Sequence, residues 1–271
     1  WKSAVVKSYG EQKLNKIVFG RASSEIPVYF TANHRWFLDN GEVTTNLKVG
    51  DRLLRPISDF SDWEYHEATP SERMWWAYGY VYGDGTIVKD VNKVPQNSMV
   101  RLCGKDKTLY LDRFIELGFH YSFPPSCNDD PIVYTGRYLN TLPTVDSDIK
   151  LLQAFVRGYL DADGCKNNNY TRDKDQYRGI QATDKEAQEF IRNIFPVAGV
   201  FIASERVVSG ITNFGQRSND TVMFNIFSTM GKSTNSSFIV KRIEESTTEG
   251  VWCLEVEDDE SFVLSQGIVT S

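Results

Sequence analysis

The run FVRGYLDADGC, Phe155 to Cys165, decides the fold. It begins as an amphipathic helix and then sets two carboxylates, Asp161 and Asp163, immediately before Gly164. The last turn of a helix exposes unpaired carbonyls and the negative end of the macrodipole, where a cation is normally preferred. Acid at that place is either solvated and tolerated, or it awaits a positive ion.

Working outward, the same device occurs earlier. SERMWWAYGYVYGDGT (Ser71 to Thr86) and SDIKLLQAFVRGYLDADGC (Ser147 to Cys165) both end in x-Asp-Gly, and aligning Asp84 with Asp163 offsets the copies by 79 residues. A strand-like stretch follows each, MVRLCGKDK (Met99 to Lys107) and RGIQATDK (Arg178 to Lys185), and each ends in Asp-Lys. A second amphipathic helix is predicted after both, over TLYLDRFIELGF and EAQEFIRNIF, with further strands such as TVMFNIFS (Thr221 to Ser228). Small residues recur at a spacing of four, Gly79 and Gly83 in the first helix, Gly158 and Ala162 in the second, so they share one face of each. A mid-helix glycine costs about 1 kcal/mol against alanine. Two helices bearing that cost at matched positions are expected to pack on each other, bringing Asp84 and Asp163 together. Two carboxylates at two negative helix ends suit a hard divalent cation, which can activate water and stabilise the leaving oxygen of a phosphodiester.

These residues resemble the LAGLIDADG homing endonucleases: RGYLDADG in the second copy matches the family motif and YGYVYGDG in the first matches it loosely. The resemblance implies a pseudo-symmetric α+β monomer whose sheets saddle the major groove of a double-stranded DNA target, the intein-less host gene, and cut both strands with Mg2+. It makes Asp84 and Asp163 the metal-binding, catalytic acids. Tyr82 stands where the motif has its first aspartate, a position that is not a metal ligand in the family. The family also uses basic residues, for which Lys105, Arg137, Lys166 and Arg217 are the candidates.

The two ends read as β. Ile26 to Pro56 gives strand, turn, strand with a hairpin signal at Asn40-Gly41, and the stretch from Phe238 to the end alternates in the same way. Together they resemble the splicing domain of inteins, the Hint fold: Thr31-Ala32-Asn33-His34 matches its T-x-x-H signature, LKVGD follows, and VWCLEVEDDESFVLSQGIVTS is similar to its last two segments. The resemblance gives Thr31 and His34 the task of polarising the upstream splice junction. A smaller group, the class three inteins, attacks that junction with an internal cysteine accompanied by a tryptophan and a threonine. Cys253, Trp36 and Thr270 stand at those positions, so Cys253 is the implied nucleophile and splicing needs no cofactor. A buried structural cysteine beside a core tryptophan is the bland reading of the same residues. The chain ends at Ser271 where an intein carries His-Asn, and the segment before its first strand is shorter than in a contiguous intein. It therefore reads as truncated or naturally split, with flanking extein sequences and a separate N-terminal intein fragment as partners, and is not expected to complete splicing alone.

The expected organisation is multidomain: an all-β Hint domain in two parts, 1–60 and 235–271, interrupted by an endonuclease domain over 61–234 with repeats at about 71–146 and 147–234. A catalytically degenerate, maturase-like DNA- or RNA-binding protein and a free-standing endonuclease with β extensions are the alternatives. Composition agrees with a globular chain: 41% of residues are hydrophobic and 13% aromatic, which is too apolar for disorder. No apolar run reaches the roughly 20 residues that span a bilayer, so no membrane partner is expected and the expected location is cytoplasmic, in a unicellular organism or encoded by a phage. Four scattered cysteines without a C-x-x-C pair argue against zinc or a disulfide framework. The net charge of −6 sits awkwardly with a DNA binder, but Arg101, Lys105, Lys107, Lys166 and other basic residues cluster in the middle of the chain while acid gathers at the ends. No D-x-[DN]-x-[DN]-G calcium loop with a closing glutamate and no dinucleotide fingerprint is present, and His66 and His120 read as structural or solvent-facing.

Overall fold

The two motif helices start on strong local signals. In the computed structural model, α1 spans Pro70–Asp84 behind a capping box: Glu72 N–H donates to Thr69 Oγ1 (3.3 Å), Thr69 N–H donates to Glu72 Oε2 (3.1 Å), and Pro70 fills the first turn. The fourth helix, Ile149–Asp163, starts where the Asp148 carboxylate accepts from Lys150 N (2.8 Å) and Leu151 N (3.4 Å). Between them lie α2 (Gly104–Thr108) and α3 (Leu111–Glu116), so Ile149–Asp163 is α4, and Lys185–Ile194 is α5. The structure describes residues 4–19, 26–54, 60–127, 130–137, 139, 141–144, 146–166, 177–208, 211–212, 215–216, 221–228, 238–256, 261–264 and 267–271. No helix among them is long and apolar enough to cross a membrane.

The chain folds as two compact units, Trp1–Ser61 with Val200–Arg206 and Phe224–Ser271, and Asp62–Gly199 with Val207–Met223. The division differs from boundaries at 61 and 234 in giving Val200–Arg206 and the chain from Phe224 to the first unit. The reason lies in packing: Phe227 meets Phe201 (5.8 Å) and Phe238 (5.7 Å), and Ala203 and Phe227 lie on the first unit's core of Ile17, Phe19, Phe30, Trp36, Leu53, Phe238 and Ile268.

In the first unit the described elements are strands apart from a short 3-10 turn at Phe60–Asp62. Ala4–Phe19 pairs antiparallel with Phe238–Val256, from Ala4 opposite Val256 to Phe19 opposite Val240. Residues 4–13 of this ribbon are exposed, whereas Leu14, Ile17, Val18 and Phe19 are buried. Ile26–Thr31 and Arg52–Leu53 flank the ribbon, and a second sheet runs in the order Phe262–Val263, Val269–Thr270, Trp36–Phe37, Val43–Thr44. The Asn40-Gly41 turn closes the hairpin of that sheet: Gly41 takes φ +86° and Asn40 Oδ1 accepts from Glu42 N at 2.9 Å. LKVGD is a turn as well. Asp51 Oδ2 accepts from Lys48 N (2.7 Å), and the turn is stapled to the ribbon by Gly50 N–H to Val240 O and Val240 N–H to Asp51 O (both 2.9 Å).

In the second unit each motif helix runs straight into a strand. Gly85 and Gly164 are extended, and an added Cβ would lie 2.1 Å from Val81 O or 2.4 Å from Leu160 O, so glycine is needed there for room. The first copy continues as the sheet Gly85–Lys89, Pro95–Arg101, Ile132–Tyr134, His120–Ser122; the second continues as Cys165–Lys166, paired antiparallel with Tyr177–Ala182. The helix predicted over Thr108–Phe119 shortens to α3, and the stretch Met99 to Lys107 expected as strand leaves the sheet after Arg101 and turns into α2, with Leu109 and Tyr110 between the two helices. Leu109 is left 77% exposed, while Tyr110 turns inward against Trp76 and Tyr80. The shared Asp-Lys ending also diverges: Asp184 caps α5 by accepting from Ala187 N (3.1 Å), whereas Asp106 lies inside α2.

Candidate functional site

The helix crossing is backbone on backbone. A Cβ added to Gly79 would lie 1.9 Å from Phe155 O, and one added to Gly158 would lie 1.9 Å from Trp76 O. One turn on, a Cβ on Gly83 would fall 2.8 Å from Ala162 Cβ and 3.4 Å from Asp163 Oδ2. The small-residue faces therefore hold the C-terminal ends of α1 and α4 together, and with them Asp84 and Asp163. The Asp163 carboxyl is pushed up to about 6, first because the packed helix junction desolvates it, then because the Asp84 charge is close, with the Lys107 ammonium acting the other way. Lys107, on α2, donates a short hydrogen bond from Nζ to Asp84 Oδ2. The Tyr80 hydroxyl is buried, feels the charges of Asp84, Asp161 and Asp163, and has no hydrogen-bond partner among the described residues.

This donor set fits a hard divalent ion. The carboxylate oxygens repel one another, an ammonium is already drawn onto one of them, and an orphaned hydroxyl lies in their field. Among the described residues no group of three or more His, Cys, Asp or Glu side chains gathers, so the two carboxylates are the donors on which the fit rests.

Asp161 does something else. Its carboxylate is 2% exposed and accepts from Trp76 Nε1 (2.8 Å), from the Tyr110 hydroxyl (2.9 Å) and, in a short bond, from the Tyr177 hydroxyl, with Arg113 at 3.5 Å and Arg157 at 3.8 Å. Its counterpart in the first copy, Tyr82, packs on Phe155 (6.1 Å) and Tyr159 (5.2 Å) instead. Of the basic candidates, Lys105 is exposed on α2, and Arg137 is taken up by α1, donating to the Tyr78 hydroxyl (2.8 Å) six residues, or about 9 Å of helix, back from Asp84. The side chain of Lys166 and the whole of Arg217 lie outside the described residues. Among the described residues, Lys107 is the basic residue paired with Asp84. Its signal in the sequence is the Asp-Lys ending that both repeats share, but that ending falls inside GKDK, where three charged residues in four leave the choice open.

In the first unit, a cavity of about 700 Å3 is lined by Thr31, His34, Cys253 and Ser271, with Tyr9 and Trp252 at its sides. Trp36 and Thr270 are fully buried strand partners next to it. The Trp36 ring meets His34 edge-on at 4.8 Å, and the Thr270 hydroxyl makes a short hydrogen bond with His34 Nε2. Thr270 has one hydroxyl hydrogen and gives it to the Arg35 carbonyl at 3.0 Å, so His34 donates from Nε2 and keeps the lone pair on Nδ1. Burial pushes His34 down to about 4, which makes it neutral at pH 7. Cys253 lies on the ribbon opposite Lys7 and donates from Sγ to Leu254 O at 3.7 Å. The cavity thus joins His34 and Cys253, while Trp36 and Thr270 hold the imidazole from behind.

No protein-family model matches the chain, and no curated protein matches it. Among solved structures it is similar to the N-terminal LAGLIDADG domain of DUF199/WhiA, at 13% identity over 65% of this chain and 88% of that one with a TM-score of 0.37. It is also similar to full-length DUF199/WhiA from Thermatoga maritima, at 13% identity over 62% of this chain and 54% of that one with a TM-score of 0.39. A third similar structure is that of I-DmoI in complex with DNA and Mn, at 13% identity over 58% of this chain and 90% of that one with a TM-score of 0.37.

Proposed function

We propose that the chain is a divalent-metal-dependent, site-specific endonuclease of double-stranded DNA, of the LAGLIDADG kind, carried inside a protein-splicing domain. The observation that carries the nuclease reading is the crossing at Gly79 and Gly158, which sets two acids at adjoining helix ends with a cation on one of them. In this reading Asp84 and Asp163 hold the ion, Mg2+ by the hardness of the donors, and the rigid crossing fixes the spacing of their oxygens. When bound, such an ion supplies a water of lowered pKa and charge stabilisation for a phosphodiester. The test is cleavage of a plasmid library carrying fused host-gene junctions. Cutting that needs a divalent metal and is lost in both Asp84→Asn and Asp163→Asn supports the reading; tight binding without cutting by the wild type overturns it in favour of a maturase-like binder.

The cavity supports the splicing part. Cys253 is the nucleophile: its sulfur bonds to the carbonyl carbon of the upstream junction, the C–N bond breaks, and the thiol proton ends on the released amine, leaving a thioester. Neutral His34, held in one tautomer by Thr270, offers Nδ1 to that proton or to the junction amide, with Thr31 beside it. Joined to its extein flanks and any separate N-terminal fragment, the chain is expected to accumulate a hydroxylamine-sensitive thioester that Cys253→Ala abolishes. Its persistence in Cys253→Ala would sink this part.

A further inference from the structure

The Asp84–Asp163 pair is not left bare in the fold: it carries a cation of its own. Lys107 projects from the short helix α2 and pairs with Asp84, the two side chains being 30% and 19% exposed, so the contact is largely sheltered from solvent. The same α2 carries Lys105, which is exposed, so the contact picks out one of two nearby lysines. Asp163 lies on the other side of the Gly83–Ala162 contact, its Oδ2 3.4 Å from where a Cβ on Gly83 would sit.

Resting on the reading of this pair as a metal centre, we propose that Lys107 is an internal counter-ion that competes with divalent metal for Asp84 and holds down the metal affinity of the DNA-free protein. An ammonium in contact with a carboxylate oxygen blocks that oxygen as a ligand, and two cations cannot share it at contact distance without strong repulsion. Metal entry therefore requires Lys107 to swing away and give up a sheltered, charge-assisted hydrogen bond, the loss of which is charged against the binding of the ion. Lys107 is in this sense a positioning residue: it sets when the carboxylates are available.

The experiment is calorimetric titration of the DNA-free protein with Mn2+, for the wild type, Lys107→Met, Lys107→Gln, Lys107→Arg and Asp84→Asn, with thermal unfolding in EDTA to show that each variant is folded. Loss of one competing charge-assisted pair is expected to tighten Mn2+ binding about tenfold in Lys107→Met, and in Lys107→Gln should one neutral variant fail to fold. Lys107→Arg, which keeps the charge, is expected to bind like the wild type, and Asp84→Asn to lose the site. Equal affinity in the wild type and the neutral variants, with binding still lost in Asp84→Asn, overturns the role of Lys107 and leaves the metal centre standing. No Mn2+ binding in the wild type or in either neutral variant overturns both.

Discussion

Asp161 aims its carboxylate at two hydroxyls, an indole and two guanidinium groups, while Asp163, two residues later, turns its carboxylate to the helix junction beside Gly83. Two residues are a rotation of about 200° on a helix, so the two acids face opposite ways and only one can meet the partner helix. His34 is the other residue whose surroundings set its chemistry. Its imidazole is pushed down to about 4 by burial, against about 6.5 in the unfolded chain, so between those values the unfolded state binds the extra proton. Its contribution is fully present above pH 6.5 and is lost as pH falls towards 4. We expect urea-unfolding stability to drop by about 2 kcal/mol more in the wild type than in His34→Gln between pH 7.5 and pH 5. Equal drops would show that His34 titrates normally. The T-x-x-H pattern made this histidine visible in the sequence. Its tautomer was not visible, because that depends on a hydroxyl 236 positions away in the chain.

At the scale of elements, the crossing of α1 and α4 was legible because glycine in a helix is costly and the cost was borne twice at matched positions. The geometry is tighter than the spacing alone required. A methyl group at either glycine would sit 1.9 Å from a carbonyl oxygen of the other helix, which no side-chain adjustment relieves. Gly79→Ala and Gly158→Ala are each expected to cost about 3 kcal/mol and to lower the melting temperature by roughly 10 °C. The double variant should lose clearly less than the sum, since helices already forced apart leave room for the second methyl. Strict additivity would mean that the two sites do not share one contact. What could not be read was the break between α2 and α3. TLYLDRFIELGF carries a clean helical period, and the competing preference, Tyr110 turning in to Trp76 and the buried Asp161, comes from partners 34 and 51 positions away in the chain.

For the molecule as a whole, the repeat and the β character of both ends were legible, while the ribbon was not: alternation reads the same whether a strand is half-buried or, like residues 4–13, exposed throughout. Membership of Val200–Arg206 in the first unit was equally hidden, because the aromatic partner of Phe201 is Phe227, 26 positions on, which in turn packs on Phe238. Two units with separate clusters, one around Ile17, Trp36 and Phe238 and one around Trp76, Tyr80 and Phe114, imply that unfolding is not a single all-or-none event. Scanning calorimetry is expected to resolve two transitions. Ile17→Ala removes a fully buried side chain from the first cluster, at a cost of about 3 kcal/mol, and should lower one of them. Gly158→Ala should lower the other. Each substitution acts through contacts inside its own unit, so the untouched transition should stay within about 1 °C of its wild-type position, an observation that additivity between distant sites requires. One transition displaced by both substitutions would mean instead that the two units unfold as a single cooperative whole.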